Sequence, residues 1–282
     1  MTEPSTATVD ATRYLALLKR VLTRYDLEEP YRPIDVDGRG SQIRRRALNT
    51  VQHALGTQGL QLVRVHRFDP EARRSGRDRP PAAETMIGLE RLDNLERCIA
   101  DVVSTGVPGD LMEVGAWRGG ATIFMRAALE AFGDTGRSVW VADSFSGLPP
   151  PDASAYPADR DDTHWTRRGL AVSLDDVKRN FERYGLLDDR VRFLEGWFRD
   201  TLPTAPVEQL AVLRLDGDMY ESTIVALRAL YQKVSVGGYV IVDDYGALET
   251  CRSAVEDFRA EAGITDPIIG IDWTGAFWQR SR

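Results

Sequence analysis

Between residues 110 and 280 the chain alternates apolar runs of strand length with segments of helical periodicity, and this alternation most constrains its fold. Apolar strands that alternate with helices indicate a mostly parallel sheet with helices on both faces. The last two runs are separated by three residues, which predicts an antiparallel C-terminal hairpin. The prediction is an α/β fold with a seven-stranded sheet. The predicted strands are 110–115, 138–143, 191–195, 209–216, 237–243, 267–271 and 275–280, with helices between them at 119–132, 173–185, 221–233 and 249–262.

The N-terminal part of the chain has a different pattern. Residues 11–25 place large apolar side chains at helical spacing, and residues 41–56 show a polar helical pattern. Residues 69–83 are rich in charge, proline and glycine, which predicts a linker or a mobile flap. We therefore expect a helical and irregular N-terminal cap over residues 1–83, followed by an α/β domain over residues 84–282.

Composition excludes some classes of function. The net charge of -7 argues against a nucleic-acid partner and against binding to an anionic membrane surface. The chain has two cysteines, Cys98 and Cys251, without metal-ligand spacing, and we expect both to be reduced and buried. The sequence contains no apolar run of about 18 residues and no signal peptide pattern. We expect a cytoplasmic protein.

A glycine-bearing turn follows the first predicted strand, in the sequence "LMEVGAWRGGATIFM". Gly115 allows a sharp turn at the strand end, while Gly119 and Gly120 allow backbone to approach a ligand at the helix start. The spacing is E-x-G-x-x-x-G, which does not match the dinucleotide fingerprint G-x-G-x-x-G. A turn with a purely structural role is the alternative.

Acidic residues end the neighbouring strands. Asp143 ends the second strand, where an acid can accept both hydroxyls of a ribose, and a helix cap is the alternative role. Glu113, Asp143 and Glu195 suit a positively charged sulfonium better than a pyrophosphate. The pattern therefore favours S-adenosylmethionine over a nicotinamide dinucleotide as the cofactor.

A second acidic group follows the strands at 209–216 and 237–243. Asp216, Asp243 and Asp244 come from strands expected to be adjacent, so their side chains can converge. Buried carboxylates are costly unless paired or metal-bound, and an all-oxygen set favours Mg²⁺, or else Ca²⁺ or Mn²⁺. The alternative is helix capping by Asp218 and Asp244. We expect the nearby Arg214 to point to the same side as Asp216 or along the sheet edge.

A metal at this site would lower the pKa of a substrate hydroxyl, and a base must then take the proton. Asp216 is the first candidate base because it would touch both metal and hydroxyl, and His164 is the second. His164 lies in the long loop 146–172, which we interpret as a lid over the substrate, with disorder as the alternative. Tyr156 and Trp165 would be further lid contacts.

Several long motifs resemble the macrocin O-methyltransferase family, which includes the mycinamicin and tylosin sugar methyltransferases and the novobiocin noviose methyltransferase. They are "GDLMEVGAWRGGATIFMR", "VWVADSFSGLP", "LAVLRLDGDMYEST" and "GGYVIVDDYG". The resemblance runs from about residue 84 to the C-terminus and, more loosely, over the first helix. It implies a class I S-adenosylmethionine-dependent methyltransferase fold and methyl transfer to a deoxysugar hydroxyl. It also implies Mg²⁺ held by Asp216, Asp243 and Asp244, with Asp216 as the base.

The resemblance further implies a biological role and partners. Members of the family tailor secondary metabolites, usually antibiotics, and are usually homo-oligomers. The acceptor would be a small-molecule glycoside or a nucleotide sugar, and the cap 1–83 would contribute to the acceptor site or to oligomerisation. The implied cofactor contacts are Thr85, Met86, Glu113, Gly115, Asp143, Ser144 and Trp197.

The sequence also departs from parts of the family pattern. The stretch "LDGDMYEST" reads more like the noviose branch than the macrolide branch, which has "DGDSYGAT". The loop 146–172 lacks the macrolide branch's "LHQYN", and residues 26–83 match poorly. The identity of the acceptor therefore stays open.

Three other functions fit part of the pattern. A catechol-type O-methyltransferase would use the same fold and metal on a phenolic acceptor. A non-catalytic sensor of an adenosine ligand would need no acidic triad. A nicotinamide dehydrogenase is disfavoured by the glycine spacing.

Overall fold

A computed structural model describes residues 6–34 and 42–282 of the chain. Residues 1–5 and 35–41, which fall in the predicted cap, lie outside the described residues. The described α-helices are α1 (Thr6–Leu22), α2 (Gln42–Gly56), α3 (Pro70–Arg74), α4 (Leu89–Thr105), α5 (Gly120–Ala131), α6 (Leu174–Arg183), α7 (Phe198–Thr201), α8 (Tyr220–Leu230) and α9 (Glu249–Glu261). The strands are β1 (Tyr31–Pro33), β2 (Val63–Val65), β3 (Asp110–Val114), β4 (Val139–Asp143), β5 (Val191–Glu195), β6 (Leu210–Leu215), β7 (Val234–Val242), β8 (Ile269–Gly270) and β9 (Ala276–Gln279).

The main sheet has seven strands in the order β5-β4-β3-β6-β7-β9-β8. Strands β3 to β7 pair in parallel, and β9 pairs antiparallel with both β7 and β8. This confirms the predicted fold class, including the C-terminal hairpin. The chain builds outward from β3 to β5 and then returns to β6 on the other side of β3. The topological switch therefore lies between β3 and β6, where a ligand cleft is expected.

One strand begins earlier than the sequence predicts. We expect its start at residue 237, but β7 begins at Val234. The pairing of β6 with β7 shifts register between Leu210 and Val212, and Gly237 adopts a φ of 86°. The glycine pair 237–238 therefore marks an irregularity inside the strand rather than its beginning.

Helix α1 is part of the main core. Its residues Leu15, Leu18 and Leu22 are buried in the same apolar cluster as Phe124 of α5 and Leu95 of α4. These positions repeat every three or four residues, so they share one face of the helix. The first predicted helix thus packs directly on helices of the α/β domain.

The segment 69–83 is packed against the protein. Asp69 caps α3, accepting hydrogen bonds from the backbone N–H groups of Glu71 and Ala72. The Arg73 side chain is buried and pairs with Asp78. Three of the charged residues that suggest a linker or flap, Asp69, Arg73 and Asp78, therefore make local contacts that fix the segment. No described helix is both long and apolar enough to cross a membrane.

Candidate active site

An open cleft lies at the carboxyl ends of β3, β4 and β6, which is where the topology places a ligand site. It brings together five of the predicted cofactor contacts with Asp216. Among the residues that line it are Met86, Gly115, Trp117, Asp143, Ser144, Leu148, Trp197, Phe198, Asp216, Gly217, Asp218, Glu221 and Ser222.

The three glycines in the turn after β3 are each required for a different steric reason. Gly115 has a φ of 93°, and a Cβ there would lie 1.9 Å from the carbonyl oxygen of Asp216. Glycine therefore lets the ends of β3 and β6 meet. A Cβ at Gly120 would lie 2.5 Å from the carbonyl oxygen of Glu84, and one at Gly119 would lie 2.9 Å from Val177. These two glycines make room for protein, which corrects the prediction that they make room for a ligand.

Asp143 organises the side of the cleft where the cofactor is predicted to bind. One of its oxygens accepts hydrogen bonds from the backbone N–H groups of Ala116 and Trp117, at 2.8 and 3.1 Å. The other accepts from the N–H of Phe145 at 2.8 Å. Burial raises the pKa of Asp143, and these N–H donors oppose that rise. The carboxylate thus holds two turns of the cleft in place.

Two predicted cofactor contacts lie behind the cleft wall. Glu113 is buried and pairs with Arg214, and burial raises its pKa to about 8. The Thr85 side chain is also buried, and its hydroxyl accepts a hydrogen bond from the N–H of Ile87 at 3.3 Å. Neither residue is among those that line the cleft, whereas Met86, next to Thr85, is.

The structure brings the three predicted metal ligands together. Asp216 follows β6, and Asp243 and Asp244 follow β7. These strands are parallel neighbours that pair Leu215 with Val242, so the residues after them emerge side by side. One carboxylate oxygen from each of the three aspartates lies within 4.8 Å of the others.

Two buried arginines hold part of this acidic group. Arg214 pairs with Glu113, Asp216 and Asp243, which confirms that its side chain lies on the same side of β6 as Asp216. Arg91 of α4 pairs with Asp243 and, at 3.0 Å, with Asp272 in the loop before β9. Asp243 therefore has an arginine at each oxygen.

The neighbouring residues Asp243 and Asp244 have pKa values shifted in opposite directions. Burial would raise the pKa of Asp243, but Arg214 and Arg91 outweigh it, so that pKa lies below its usual value. Burial, reinforced by Asp218 and Asp216, raises the pKa of Asp244 well above its usual range. One oxygen of Asp244 is buried without a hydrogen-bond partner in the described structure. If all its carboxylates were ionised, the site would therefore carry more negative charge than its arginines neutralise.

Asp218 does not cap α8, as one alternative for its role suggests. The cap position is Met219, and the free N–H groups of Tyr220 and Glu221 bind Asp159 from the lid loop, each at 2.8 Å. Asp218 instead lines the cleft, with a φ of 58° that is uncommon for a residue with a side chain. Burial, reinforced by Asp216, raises its pKa to about 7.

The second candidate base lies at the margin of the site. His164 begins a short 3-10 helix, and its Nδ1 lies 2.7 Å from a carboxylate oxygen of Asp162. His164 is close enough to Asp218 to lower that residue's pKa, but it is not among the residues that line the cleft. Trp165 is about 44% exposed to solvent.

Sequence reasoning missed two residues that shape the site. Arg91 lies four residues after Ile87 and four before Leu95, so its position on the apolar face of the helix was a readable signal of burial. Asp159 sits among three other aspartates in the loop 146–172, and no sequence pattern distinguishes it from them.

Comparison with known proteins decides the family. The sequence model of the family described as Macrocin-O-methyltransferase (TylF) matches residues 11–280. The chain belongs to the TylF family. It is accordingly an S-adenosylmethionine-dependent O-methyltransferase.

Characterised relatives of this TylF-family chain cover most of its length. It is 58% identical over 214 residues to the 8-demethyl-8-(2,3-dimethoxy-alpha-L-rhamnosyl)-tetracenomycin-C 4'-O-methyltransferase of Streptomyces olivaceus, covering 76% of this chain and 82% of that one. It is 55% identical over 216 residues to the demethyldecarbamoylnovobiocin O-methyltransferase of Streptomyces niveus, with the same coverage. The mycinamicin III 3''-O-methyltransferase of Micromonospora griseorubida is 47% identical over 240 residues, covering 84% and 94%.

Solved structures agree with this assignment. The structure of the O-methyltransferase NovP is 46% identical, with a TM-score of 0.82, and the match covers 97% of this chain and 100% of NovP. The calicheamicin methyltransferase CalS11 is 17% identical, with a TM-score of 0.55 over 89% of this chain and 99% of CalS11, and therefore supports the fold alone.

Proposed function

We propose that this chain is a Mg²⁺-dependent O-methyltransferase that methylates a deoxysugar hydroxyl during antibiotic biosynthesis. The observation that carries this proposal is the group of three carboxylates, Asp216, Asp243 and Asp244, within 4.8 Å of one another beside the cleft. Asp216 belongs to both this group and the cleft wall, so it links the two.

The relatives support a sugar acceptor. The Streptomyces olivaceus enzyme is named for a position on a rhamnosyl-bearing tetracenomycin, and the other two are named for novobiocin and mycinamicin compounds. Identity is higher to the novobiocin enzyme than to the mycinamicin enzyme, in keeping with the stretch "LDGDMYEST". A small-molecule glycoside or a nucleotide sugar is the proposed acceptor.

The described residues fit a hard divalent cation. The donors would be carboxylate oxygens of Asp216, Asp243 and Asp244, which Mg²⁺ prefers over nitrogen or sulfur ligands. Asp244 has an unpartnered oxygen, and burial together with neighbouring aspartates raises the pKa of both Asp244 and Asp216, so a bound cation would be needed to hold both as carboxylates. When bound, Mg²⁺ would lower the pKa of an acceptor hydroxyl, and S-adenosylmethionine would supply a methyl group on a sulfonium.

The chain's own residues would bind the donor and position it against the acceptor. Met86, Gly115, Asp143, Ser144 and Trp197 form the part of the cleft that would bind the donor. Their fixed positions would place the methyl carbon against the acceptor oxygen, and such positioning supplies much of the rate in transfer reactions. The buried Thr85 and Glu113 would support this part of the cleft from behind.

Asp216 is the proposed base, because it lines the cleft and belongs to the acidic group. One of its oxygens already binds Arg214 at 3.0 Å, which leaves the other to accept a proton. Asp218, which lines the same cleft, is the strongest competitor for this role. His164 would act from the lid, with Asp162 fixing its ring, if the loop brings it closer to the acceptor.

The proposal includes an assembly. Tyr31 and Val65 are cross-strand partners in the β1–β2 ribbon, with 66% and 72% of their surfaces exposed. Apolar side chains so exposed favour contact with another surface. We propose that the cap 1–83 contributes to homo-oligomer formation or to the acceptor site, and sedimentation analysis of the chain with and without acceptor tests this.

Chelation tests the metal. EDTA should stop methylation of demethyldecarbamoylnovobiocin or mycinamicin III by this chain, and added Mg²⁺ should restore it. Undiminished turnover in EDTA would contradict the metal's role. Parallel assays with a catechol test the alternative, because a catechol-type enzyme would methylate the phenol and leave both glycosides unchanged. Metal-independent binding of S-adenosylmethionine without turnover on any acceptor would instead support a sensor.

A further inference from the structure

One carboxylate of the lid loop is fully buried and is not part of the acidic group. Asp159 has no exposed surface and lies 61 residues before α8 in the chain. One of its oxygens accepts a hydrogen bond from the backbone N–H of Tyr220, and the other accepts from the N–H of Glu221, both at 2.8 Å. Because both oxygens of this buried carboxylate bind the same helix end, the Asp159 side chain is held in one position.

This contact supplies what α8 lacks locally. The first N–H groups of a helix have no partner within the helix, and a polar residue at the cap position usually binds them. In α8 that position holds Met219, which makes no side-chain cap. Asp159 therefore caps the helix from another part of the chain, and its charge also suits the positive end of the helix.

The capped end of α8 directly follows a turn that carries two acidic residues and is called the acidic turn below. Residues 216–219 connect β6 to α8 and carry Asp216 and Asp218 into the cleft. This turn folds closely onto the helix, since a Cβ at Gly217 would lie 2.8 Å from the Cβ of Ser222. The positive φ of Asp218 is strained and persists where the surroundings hold it. The position of the first turn of α8 thus sets where these two aspartates point.

The same loop has a second anchor on the cofactor side of the cleft. The indole Nε1 of Trp117 donates a hydrogen bond to the carbonyl oxygen of Gly169 at 2.8 Å. Trp117 lines the cleft, and the guanidinium of Arg118 stacks on its ring at 4.2 Å. The loop 146–172 is therefore attached to both sides of the cleft.

We propose that Asp159 is a positioning residue that couples the lid loop to the acidic turn 216–219. When the loop is seated, its carboxylate orders the start of α8 and places Asp216 and Asp218. The part of the inference that concerns metal affinity rests on the proposed function. The part that concerns the order of the turn does not.

The substitution Asp159→Asn tests the coupling. Asparagine keeps one acceptor oxygen but loses the charge and turns an N–H donor towards a backbone N–H group. The matched control is Asp161→Asn, which changes an exposed acid of the same loop. Hydrogen exchange of the segment 216–225 should accelerate about fivefold or more in Asp159→Asn and stay unchanged in the control.

Calorimetric titration with Mn²⁺ supplies the second measurement. The dissociation constant for Mn²⁺ should rise about fivefold in Asp159→Asn, the low end of typical coupling between sites. Affinity for S-adenosylhomocysteine should change by less than about twofold, because the cofactor side keeps its own anchor at Trp117. A role in general stability alone would lower the melting temperature and leave the Mn²⁺ affinity of the folded fraction unchanged.

The outcomes separate this inference from the proposed function. Failure of wild-type protein to bind Mn²⁺ would contradict the metal site. Unchanged exchange of 216–225 in folded Asp159→Asn protein would overturn the positioning role whether or not metal binds. If the variant does not fold, hydrogen exchange of the wild-type protein with and without Mn²⁺ tests the inference instead. Because coupling is reciprocal, Mn²⁺ that slows exchange in 216–225 should also slow exchange in 152–162. Protection of 216–225 alone would overturn the inference.

Discussion

Two buried ionic clusters in this protein have opposite charge imbalances. The cluster at the ends of β6 and β7 joins six carboxylates to two arginines. In the second cluster, one carboxylate, Asp78, lies within ion-pair distance of Arg32, Arg73 and His66. The first cluster consists of Glu113, Asp216, Asp218, Asp243, Asp244 and Asp272 with Arg91 and Arg214.

The pKa values respond to this imbalance. Burial would raise the pKa of Asp78, but Arg32 and Arg73 outweigh it and bring that pKa below its usual value. Burial also raises the pKa of Glu113, to about 8, and there a single arginine contact does not overcome it. Burial, neighbouring carboxylates and opposing arginines together therefore decide which of these acids stay ionised. The acid-rich cluster is suited to receive a cation, whereas the Asp78 cluster is suited to hold the chain together.

The largest expected effect comes from removing the shared aspartate of the acid-rich cluster. Asp216→Ala should lower the rate of methyl transfer about 1,000-fold or more, because it removes a residue proposed both as a metal ligand and as the base. Calorimetry should show S-adenosylhomocysteine affinity within about threefold of wild type, since the donor part of the cleft is kept. Asp78→Asn is the matched control, a buried acid from the other cluster, and should keep the wild-type rate. Near wild-type turnover by Asp216→Ala would disprove the assignment.

The next effect concerns an arginine of the acid-rich cluster. Arg91→Met should lower the free energy of unfolding by about 3 kcal/mol without metal, because Asp243 and Asp272 lose a buried partner. Added Mg²⁺ should restore part of this loss. Arg126→Met is the control, since Arg126 pairs with Asp188 away from the site. Urea unfolding with and without Mg²⁺ measures both, and an equal Mg²⁺ effect on the two variants would contradict the prediction.

A smaller effect should separate Asp143 from the acidic cluster. Asp143→Asn keeps one acceptor oxygen, but its NH2 group must face the N–H groups of either Ala116 and Trp117 or Phe145, so one of the two turns loses its acceptor. We expect affinity for S-adenosylhomocysteine to fall about tenfold, with Mn²⁺ affinity unchanged. Titration calorimetry with each ligand measures this. A loss of Mn²⁺ affinity as large as that of cofactor affinity would show that the two parts of the cleft are not independent.

The smallest effect is the pH dependence of the Asp78 cluster. Because the pKa of Asp78 is lowered on folding, its carboxylate stabilises the protein above the ordinary aspartate pKa of about 3.9. That contribution is lost as the pH falls through the lowered value. Urea unfolding should show Asp78→Asn less stable by about 1–2 kcal/mol at pH 6, with the difference shrinking below pH 4 or so. A difference that stays constant down to pH 2 would contradict this.

Much of the fold was predictable because its signals are local and repeated. The strands β3 to β6 are visible in the sequence as apolar runs. The topology of a parallel sheet then predicts that the acids at their carboxyl ends lie at the same edge. The convergence of Asp216 with Asp243 and Asp244 could be predicted from the single expectation that β6 and β7 are neighbours.

The rest depends on contacts between distant parts of the chain. Arg91 meets Asp243 across 152 residues, and Asp159 meets Glu221 across 62. Asp218 and Asp159 show the difficulty most clearly. An acid just before a helix looks like its cap, yet the cap comes from a loop whose position no local pattern specifies.

Metal binding tests the central claim most directly. Calorimetric titration of the metal-free protein with Mn²⁺ should give one site per chain, with binding abolished in Asp216→Ala and preserved in Asp78→Asn. An acid-rich cluster that binds no Mn²⁺, or Asp216→Ala protein that binds it with wild-type affinity, would contradict the account.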